Sequence, residues 1–339
     1  MNRLLVPKPI SAGIFLSYKC TSKCKHCMYA CSPQWKADWI SETDLRKILA
    51  QLHDKIQPSP LGPHKIAINY GLYFTGGEPF LNFDLLLRAV EMAYEIGIPS
   101  TFVETNCFWC IDDVKTREKL LQLKSSGLDG ILISVNPFIL EEVPFERTKR
   151  AVGISREIFK ENAIVYQEIF HHQFREFNVE GTLSFEEYLQ KVRLSGLSLV
   201  ELLPMGRAVY KLEHLYKKYP AKRFFGESCR EDLMREWHIH IDNYGNYMTG
   251  YCGGISLGDG RDMGSIWAGI NVEEMPILNA LLSDLERLYI IGVKEFGYKE
   301  RKEGYVSKCH FCLDIRRHIA QQADRFKELS PREFYFQLE

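Results

Sequence analysis

Nowhere in the 339 residues does an apolar run reach the roughly 18 residues that a membrane helix needs, so no helical span is expected. An excess of one charge is lacking too. Forty-three Lys and Arg against 44 Asp and Glu leave a formal net charge of −1, which offers no bulk field for a nucleic acid or an anionic membrane. The densest basic stretch, 211–223, is broken by Glu213 and reads as a solvated helix face. Internal repeats and low-complexity tracts are absent. Residues 1–9 are interrupted by Pro7 and Pro9 and carry no apolar core, so no secretory leader is expected. Cysteine, by contrast, is plentiful. Ten thiols without an export signal point to the cytoplasm and to metal or redox use rather than disulfides.

Three of those thiols stand in Cys20-Thr-Ser-Lys-Cys24-Lys-His-Cys27. Thiolates this close can wrap one iron–sulfur cluster from a single loop, and a four-iron cluster held by three of them keeps one iron open to a non-protein ligand. The loop follows an apolar, strand-like run, 13–17. A second such run, 66–74, ends in Thr75-Gly76-Gly77-Glu78-Pro79. Gly-Gly lets backbone approach a ligand closely, and a carboxylate beside it can accept hydrogen bonds from an ammonium group. A zinc knuckle is the competing reading of the cysteines, but zinc spacing rarely comes with a following Gly-Gly-Glu-Pro.

Together, in this order and each after a strand, the two motifs resemble the signatures of the radical S-adenosylmethionine (SAM) enzymes. The resemblance implies that Cys20, Cys24 and Cys27 ligate a [4Fe–4S] cluster whose open iron is chelated by SAM. It implies that Gly76, Gly77, Glu78 and Pro79 bind the methionine amino group. An external one-electron reductant such as flavodoxin or ferredoxin would feed the cluster, and reductive cleavage of SAM would yield a 5′-deoxyadenosyl radical that takes hydrogen from the substrate. His26, before the third cysteine, would lie beside the adenine. Thr105, Asn106, Ser134 and Asn136, at the ends of the third and fourth strands, would supply further cofactor contacts. Relatives usually carry Asp where Asn136 stands.

Strand-like and helical segments alternate. Helices are expected over 42–54 (N-cap Ser41), 85–96 (stopped by Gly97), 114–126 (stopped by Gly127), 144–160 and from Ser184, with Glu187 closing a capping box, through Val192. Strands are expected over 100–104, 130–135, 163–169 and 197–203. Alternation of this kind means a parallel sheet. The fold class is α/β, a partial (β/α)6 TIM-like barrel over 1–208, as in the family, with a small cysteine-rich α+β extension over 209–339. In the extension, a helical linker to about Lys222 precedes Cys229, a hairpin over 238–248 turns at Asp242-Asn-Tyr-Gly245, Cys252 and Cys309-His-Phe-Cys312 follow, and a helix over 313–329 ends the chain.

Cys229, Cys252, Cys309 and Cys312 give full ligation for one four-iron cluster or one zinc. Their order resembles the twitch or shortened SPASM extensions of radical SAM enzymes, with one Cys-x-x-Cys and no later cysteines. It implies a single auxiliary cluster of the [4Fe–4S] type. Cys107 and Cys110 follow the third strand, where relatives usually have glycine. They are candidate catalytic thiols, as hydrogen-atom donor, substrate nucleophile or redox pair, against the alternative of small buried hydrophobes. Cys31 reads as a bystander, and the histidines at 171–172, 238 and 240 show no metal spacing. Relatives with cysteine-rich extensions often modify peptides or protein side chains, which makes such a substrate the expectation. Oxidation or rearrangement of a small molecule is the alternative, and a non-catalytic iron–sulfur electron carrier is the competing class.

Overall fold

The computed structural model describes residues 3–36, 38–192 and 202–339 and divides into two compact units. Ile10–Cys24 and Cys31–Leu202 make up the first. Met1–Pro9, Lys25–Ala30 and Leu203–Glu339 make up the second.

The first unit is built on five parallel strands: β1 (Ser11–Ser17), β2 (Gly71–Gly76), β3 (Thr101–Thr105), β4 (Gly130–Ser134) and β5 (Ala163–Tyr166), paired in chain order. Register sets the two faces. Ile14 lies opposite Phe74, Phe74 opposite Val103 and Val103 opposite Ile131, and all four are 0% exposed. Residues of the other parity differ. Tyr73, Glu104, Ser134, Ile164 and Tyr166 share the second face and are only half-buried. At its base Ile66, Phe102 and Leu132 form a small apolar cluster. The sheet is therefore covered on one face and partly open on the other, and polar side chains at the open face fall toward the strand C-termini.

The helices begin and end where local chemistry dictates. α1 (Glu42–Leu52) is capped by the Ser41 hydroxyl, which accepts from the Asp44 N–H. α2 (Phe83–Ile96) stops at Gly97, and α3 (Asp113–Ser125) starts at the Asp112 cap. The short α4 (Pro137–Leu140) leads to α5 (Phe145–Phe159), α6 (Glu168–Glu176) and α7 (Phe185–Lys191), the last with both bonds of the Ser184–Glu187 capping box. Two strand expectations need correction. β2 starts at Gly71, not 66, because Asn69 and Gly71 take left-handed φ values of 72° and 71° and turn the chain there. β5 stops at Tyr166, because Gln167 is left-handed (φ 58°) and residues 168 and 169 open a helix. The expected sixth strand falls almost wholly on 193–201, outside the described residues. The parallel α/β sheet stands, and closure into a barrel is not seen among the described residues.

In the second unit, β6 (His238–Ile241) and β7 (Tyr247–Thr249) form the expected hairpin. Asp242 Oδ1 accepts from the N–H groups of Tyr244 and Asn246 and fixes the turn. α8 (Pro276–Ser283) packs on α9 (Leu285–Phe296), and α9 on α10 (Lys308–Gln322). The terminal helix lies earlier than the expected 313–329: Ser307 caps it at the His310 N–H, and Ala323 is already extended. The linker is not one helix but short turns at Ala208–Lys211, Glu213–Leu215 and Ala221–Phe224, the last starting after Pro220. Among the described residues, no helix is long and apolar enough to cross a membrane.

Candidate functional sites

The first site forms where β1, β2 and β3 end. The Gly77 N–H donates to the Ser17 carbonyl (2.8 Å) and the Glu78 N–H to the Lys19 carbonyl (2.9 Å), so the Gly-Gly-Glu-Pro turn runs directly against the start of the cysteine loop. A Cβ on Gly77 would sit 1.9 Å from the Lys19 carbonyl oxygen; only glycine permits this approach. Asn106 ties in the third strand end. Its Nδ2 donates to Thr21 Oγ1 (3.1 Å) and Ser22 Oγ (3.3 Å) and lies 3.7 Å from Cys20 Sγ, which also accepts from the Ser22 N–H at 3.5 Å. N–H groups aimed at sulfur suit a thiolate ligand, whose charge they stabilise. Cys31 donates from its thiol to the Gly76 carbonyl (3.2 Å) and so braces the same turn. Cys24 lies in this loop, half-buried.

Glu78 joins these pieces. Its buried carboxylate accepts from Thr105 Oγ1 (2.9 Å), the Asn106 N–H (2.8 Å) and the Phe80 N–H (3.2 Å). Burial pushes its pKa up to about 7, against the pull of those three donors. All three donors are protein groups, so the side chain acts as a tie between strand ends. Pro79, buried, opens the turn after it. Thr105 is equally engaged, accepting from the Cys107 N–H and Trp109 Nε1 at 3.0 Å each.

Cys107 and Cys110 are both 0% exposed and hydrogen-bonded to each other through their thiols. Cys107 sits in left-handed backbone (φ 67°), and burial raises its pKa well above the ordinary thiol value. Asn136 caps α4, accepting from the Phe138 and Ile139 N–H groups at 3.1 and 3.0 Å. Ser134 reaches the open sheet face and donates to Glu104 Oε1 (2.9 Å). Sequence reading passed over Glu104. It stands on the central strand, accepts from Thr75 Oγ1 (2.8 Å) on its other oxygen, and forms no ion pair among the described residues. The available signal was a carboxylate inside the apolar run Phe102-Val-Glu-Thr.

Cys27 and His26 belong to the second unit. The Arg207 N–H donates to the Cys27 carbonyl (3.0 Å), and its buried guanidinium donates to the Ala30 carbonyl (2.7 Å). Burial, and then the Arg207 charge, push His26 down to about 4, so the ring is neutral at pH 7. Two residues past Cys27, the Tyr29 hydroxyl meets His240 Nδ1 at 2.9 Å.

The same unit gathers the second cysteine set. Cys229 opens a one-turn helix, Cys252 follows the β6–β7 hairpin, and Cys309 and Cys312 lie in the first turns of α10. The Cys229 thiol donates to Cys312, and ionisation of Cys252 or Cys309 would raise the Cys229 thiol further. That hydrogen bond, with the Arg316 charge, lowers Cys312 to about 6, while burial pushes Cys309 up to about 12. Lys308 Nζ lies beside the set, held by Asp232 at 2.8 Å. Four soft thiol donors flanked by two cations suit a group that is anionic once its thiolates are counted. Among the described residues no three His, Cys, Asp or Glu side chains close around a single ion position. A four-iron cluster takes each thiolate on a different iron, so its ligands need not share one point as zinc ligands at about 2.3 Å must.

Residues 11–136 match the model of a 4Fe-4S single cluster domain family. No curated protein matches the chain. Among solved structures, the chain is similar to BtrN in complex with AdoMet and 2-DOIA (14% identity, 83% of this chain and 88% of that one, TM-score 0.43). It is also similar to anSMEcpe with bound AdoMet (11% identity, 93% and 97%, TM-score 0.45). A third is Streptococcus suis SuiB bound to the precursor peptide SuiA (13% identity, 82% and 66%, TM-score 0.30).

Proposed function

We propose that the chain is a radical SAM enzyme that abstracts hydrogen from a peptide or protein side chain, a reading supported by its cysteine loop, its Gly-Gly-Glu-Pro turn and its matched 4Fe-4S domain. In this reading residues 1–208 form the partial barrel and 209–339 the twitch-like extension. Cys20, Cys24 and Cys27 hold the radical cluster, and Cys229, Cys252, Cys309 and Cys312 hold one auxiliary [4Fe–4S] cluster. When bound, the radical cluster supplies an electron to the SAM sulfonium and so a 5′-deoxyadenosyl radical. The chain's own residues bind and orient. Gly76 and Gly77 bring backbone to the methionine amino end, Glu78 and Pro79 hold that turn, and Thr105 and Asn106 fix it to the cysteine loop. Neutral His26 offers the adenine a flat, uncharged neighbour, and Ser134 offers a hydroxyl on the open sheet face. Asn136 holds the start of α4 beside it.

One observation carries the reading: two motifs some fifty residues apart are joined by backbone hydrogen bonds at the strand C-termini, where α/β enzymes place their chemistry. The buried, hydrogen-bonded pair Cys107 and Cys110 favours the role of packed side chains over that of catalytic thiols. The cysteine-rich extension supports a peptide substrate, and a small molecule remains the second reading. Changing Cys20, Cys24 and Cys27 together to Ala should remove about four irons per chain and abolish 5′-deoxyadenosine formation. Retention of that product in the triple variant would overturn the proposal. A wild-type protein that binds iron but never cleaves SAM would instead be an electron carrier. Stimulation of cleavage by a peptide fraction, and not by small metabolites, would separate the two substrate classes.

A further inference from the structure

Arg316 is fully buried, and its guanidinium spans two of the four cysteines. Nε donates to Cys312 Sγ at 3.2 Å and Nη2 to Cys252 Sγ at 3.5 Å. Nη1 donates to the Gly253 carbonyl (3.2 Å) and the Tyr335 hydroxyl (2.9 Å). Tyr335 in turn donates to the Gly254 carbonyl at 2.5 Å. The arrangement follows from spacing: Cys309, Cys312 and Arg316 stand at i, i+3 and i+7 on α10 and share one face. Among the described residues Arg316 forms no ion pair with a carboxylate. A buried, uncompensated cation is strongly disfavoured, so a counter-charge belongs here, and the guanidinium donates to two sulfurs.

We propose that Arg316 is a positioning residue of the auxiliary centre: it holds Cys252 and Cys312 in place and keeps a positive charge against their thiolates, raising the reduction potential of the cluster they bind. The inference rests on the auxiliary-cluster part of the reading above. A cation beside the cluster stabilises the form with one more electron, and hydrogen bonds to ligand sulfur act in the same direction. Lys308 adds charge but is tied to Asp232, which offsets it, whereas the Arg316 charge is left to the sulfurs.

The test uses the full chain in a Cys20, Cys24 and Cys27→Ala background, so that the auxiliary signal stands alone. Arg316→Gln, Arg316→Lys and Tyr335→Phe are reconstituted, their iron counted, and the signal titrated by electron paramagnetic resonance. Arg316→Gln should load iron and shift the midpoint to more negative potential. Arg316→Lys should shift it less, and Tyr335→Phe, which keeps the charge, least. Should Arg316→Gln fail to load iron while Arg316→Lys loads it, the charge requirement is again supported. An unchanged midpoint in Arg316→Gln, failure of both Arg316 variants to load, or absence of iron from the parent would each overturn the proposal. These outcomes are independent of 5′-deoxyadenosine formation by the wild type, which tests the radical chemistry separately.

Discussion

Glu78 carries a measurable signature of its surroundings. Burial raises its pKa from 4.5 to about 7, so folding favours the neutral acid. The resulting stability is fully present below the unfolded value of 4.5 and is lost as pH rises through about 7. A shift of this size corresponds to about 3 kcal/mol at most. Gln keeps the shape and does not titrate. In urea unfolding of the metal-free protein, wild type should therefore lose about 3 kcal/mol relative to Glu78→Gln between pH 4.5 and pH 8. A gap that stays constant across this range would mean that the three donors hold the carboxylate ionised throughout. Sequence alone marked Glu78 as a ligand-side carboxylate. It could not show that Thr105 and Asn106, from a different strand, would occupy that carboxylate with hydrogen bonds.

At the scale of elements, the glycines at the site and in the helices separate contact from propensity. Gly77→Ala sets a methyl 1.9 Å from the Lys19 carbonyl and must push the turn away from the cysteine loop. It should cost at least about 2 kcal/mol and cut SAM cleavage at least about tenfold, the loss expected when a reacting geometry moves by a fraction of an ångström. Gly153 stands mid-α5 with nothing within 4 Å of its added Cβ, so Gly153→Ala should stabilise by about 0.5–1 kcal/mol and leave cleavage unchanged. Equal effects of the two changes would remove the argument. The elements themselves were legible wherever their signals are local. Ser41, Gly97 and the Ser184–Glu187 box mark ends that the backbone obeys. Reading failed where a single residue takes left-handed backbone, as at Asn69 and Gln167, since neither is a glycine that announces it. It failed again at α10, where the Ser307 cap outweighed the apolar run further on. Arg316 lies four residues after Cys312, and the true helix start at Lys308, five residues before the expected one, puts both on one helix face.

Across the whole molecule, the segment Lys25–Ala30 packs with Leu203–Glu339, although its neighbours on both sides belong to the other unit. The reason is in the run 203–208. Gly206, at φ 56°, comes so near that a Cβ there would lie 2.4 Å from the Met28 carbonyl and 2.7 Å from that of Cys27. Arg207 then clamps the Cys27 and Ala30 carbonyls, and His240 holds Tyr29. Nothing in the cysteine spacing foretells this, because the contacts join residues some 180 and 210 positions apart. One consequence is testable. A chain ending at Leu202 keeps Cys20, Cys24 and Cys27 and all five described parallel strands, but loses the Gly206, Arg207 and His240 contacts to the segment that carries the third cysteine. If those contacts only decorate a loop that folds alone, the truncated protein should load about four irons and cleave SAM. We expect instead that it folds its sheet, as circular dichroism would report, while binding well below four irons and forming no 5′-deoxyadenosine. Gly206→Ala in the full chain should show a milder form of the same loss, with the auxiliary iron retained. Full iron loading in both proteins would place the order of the cysteine loop within the sheet unit alone.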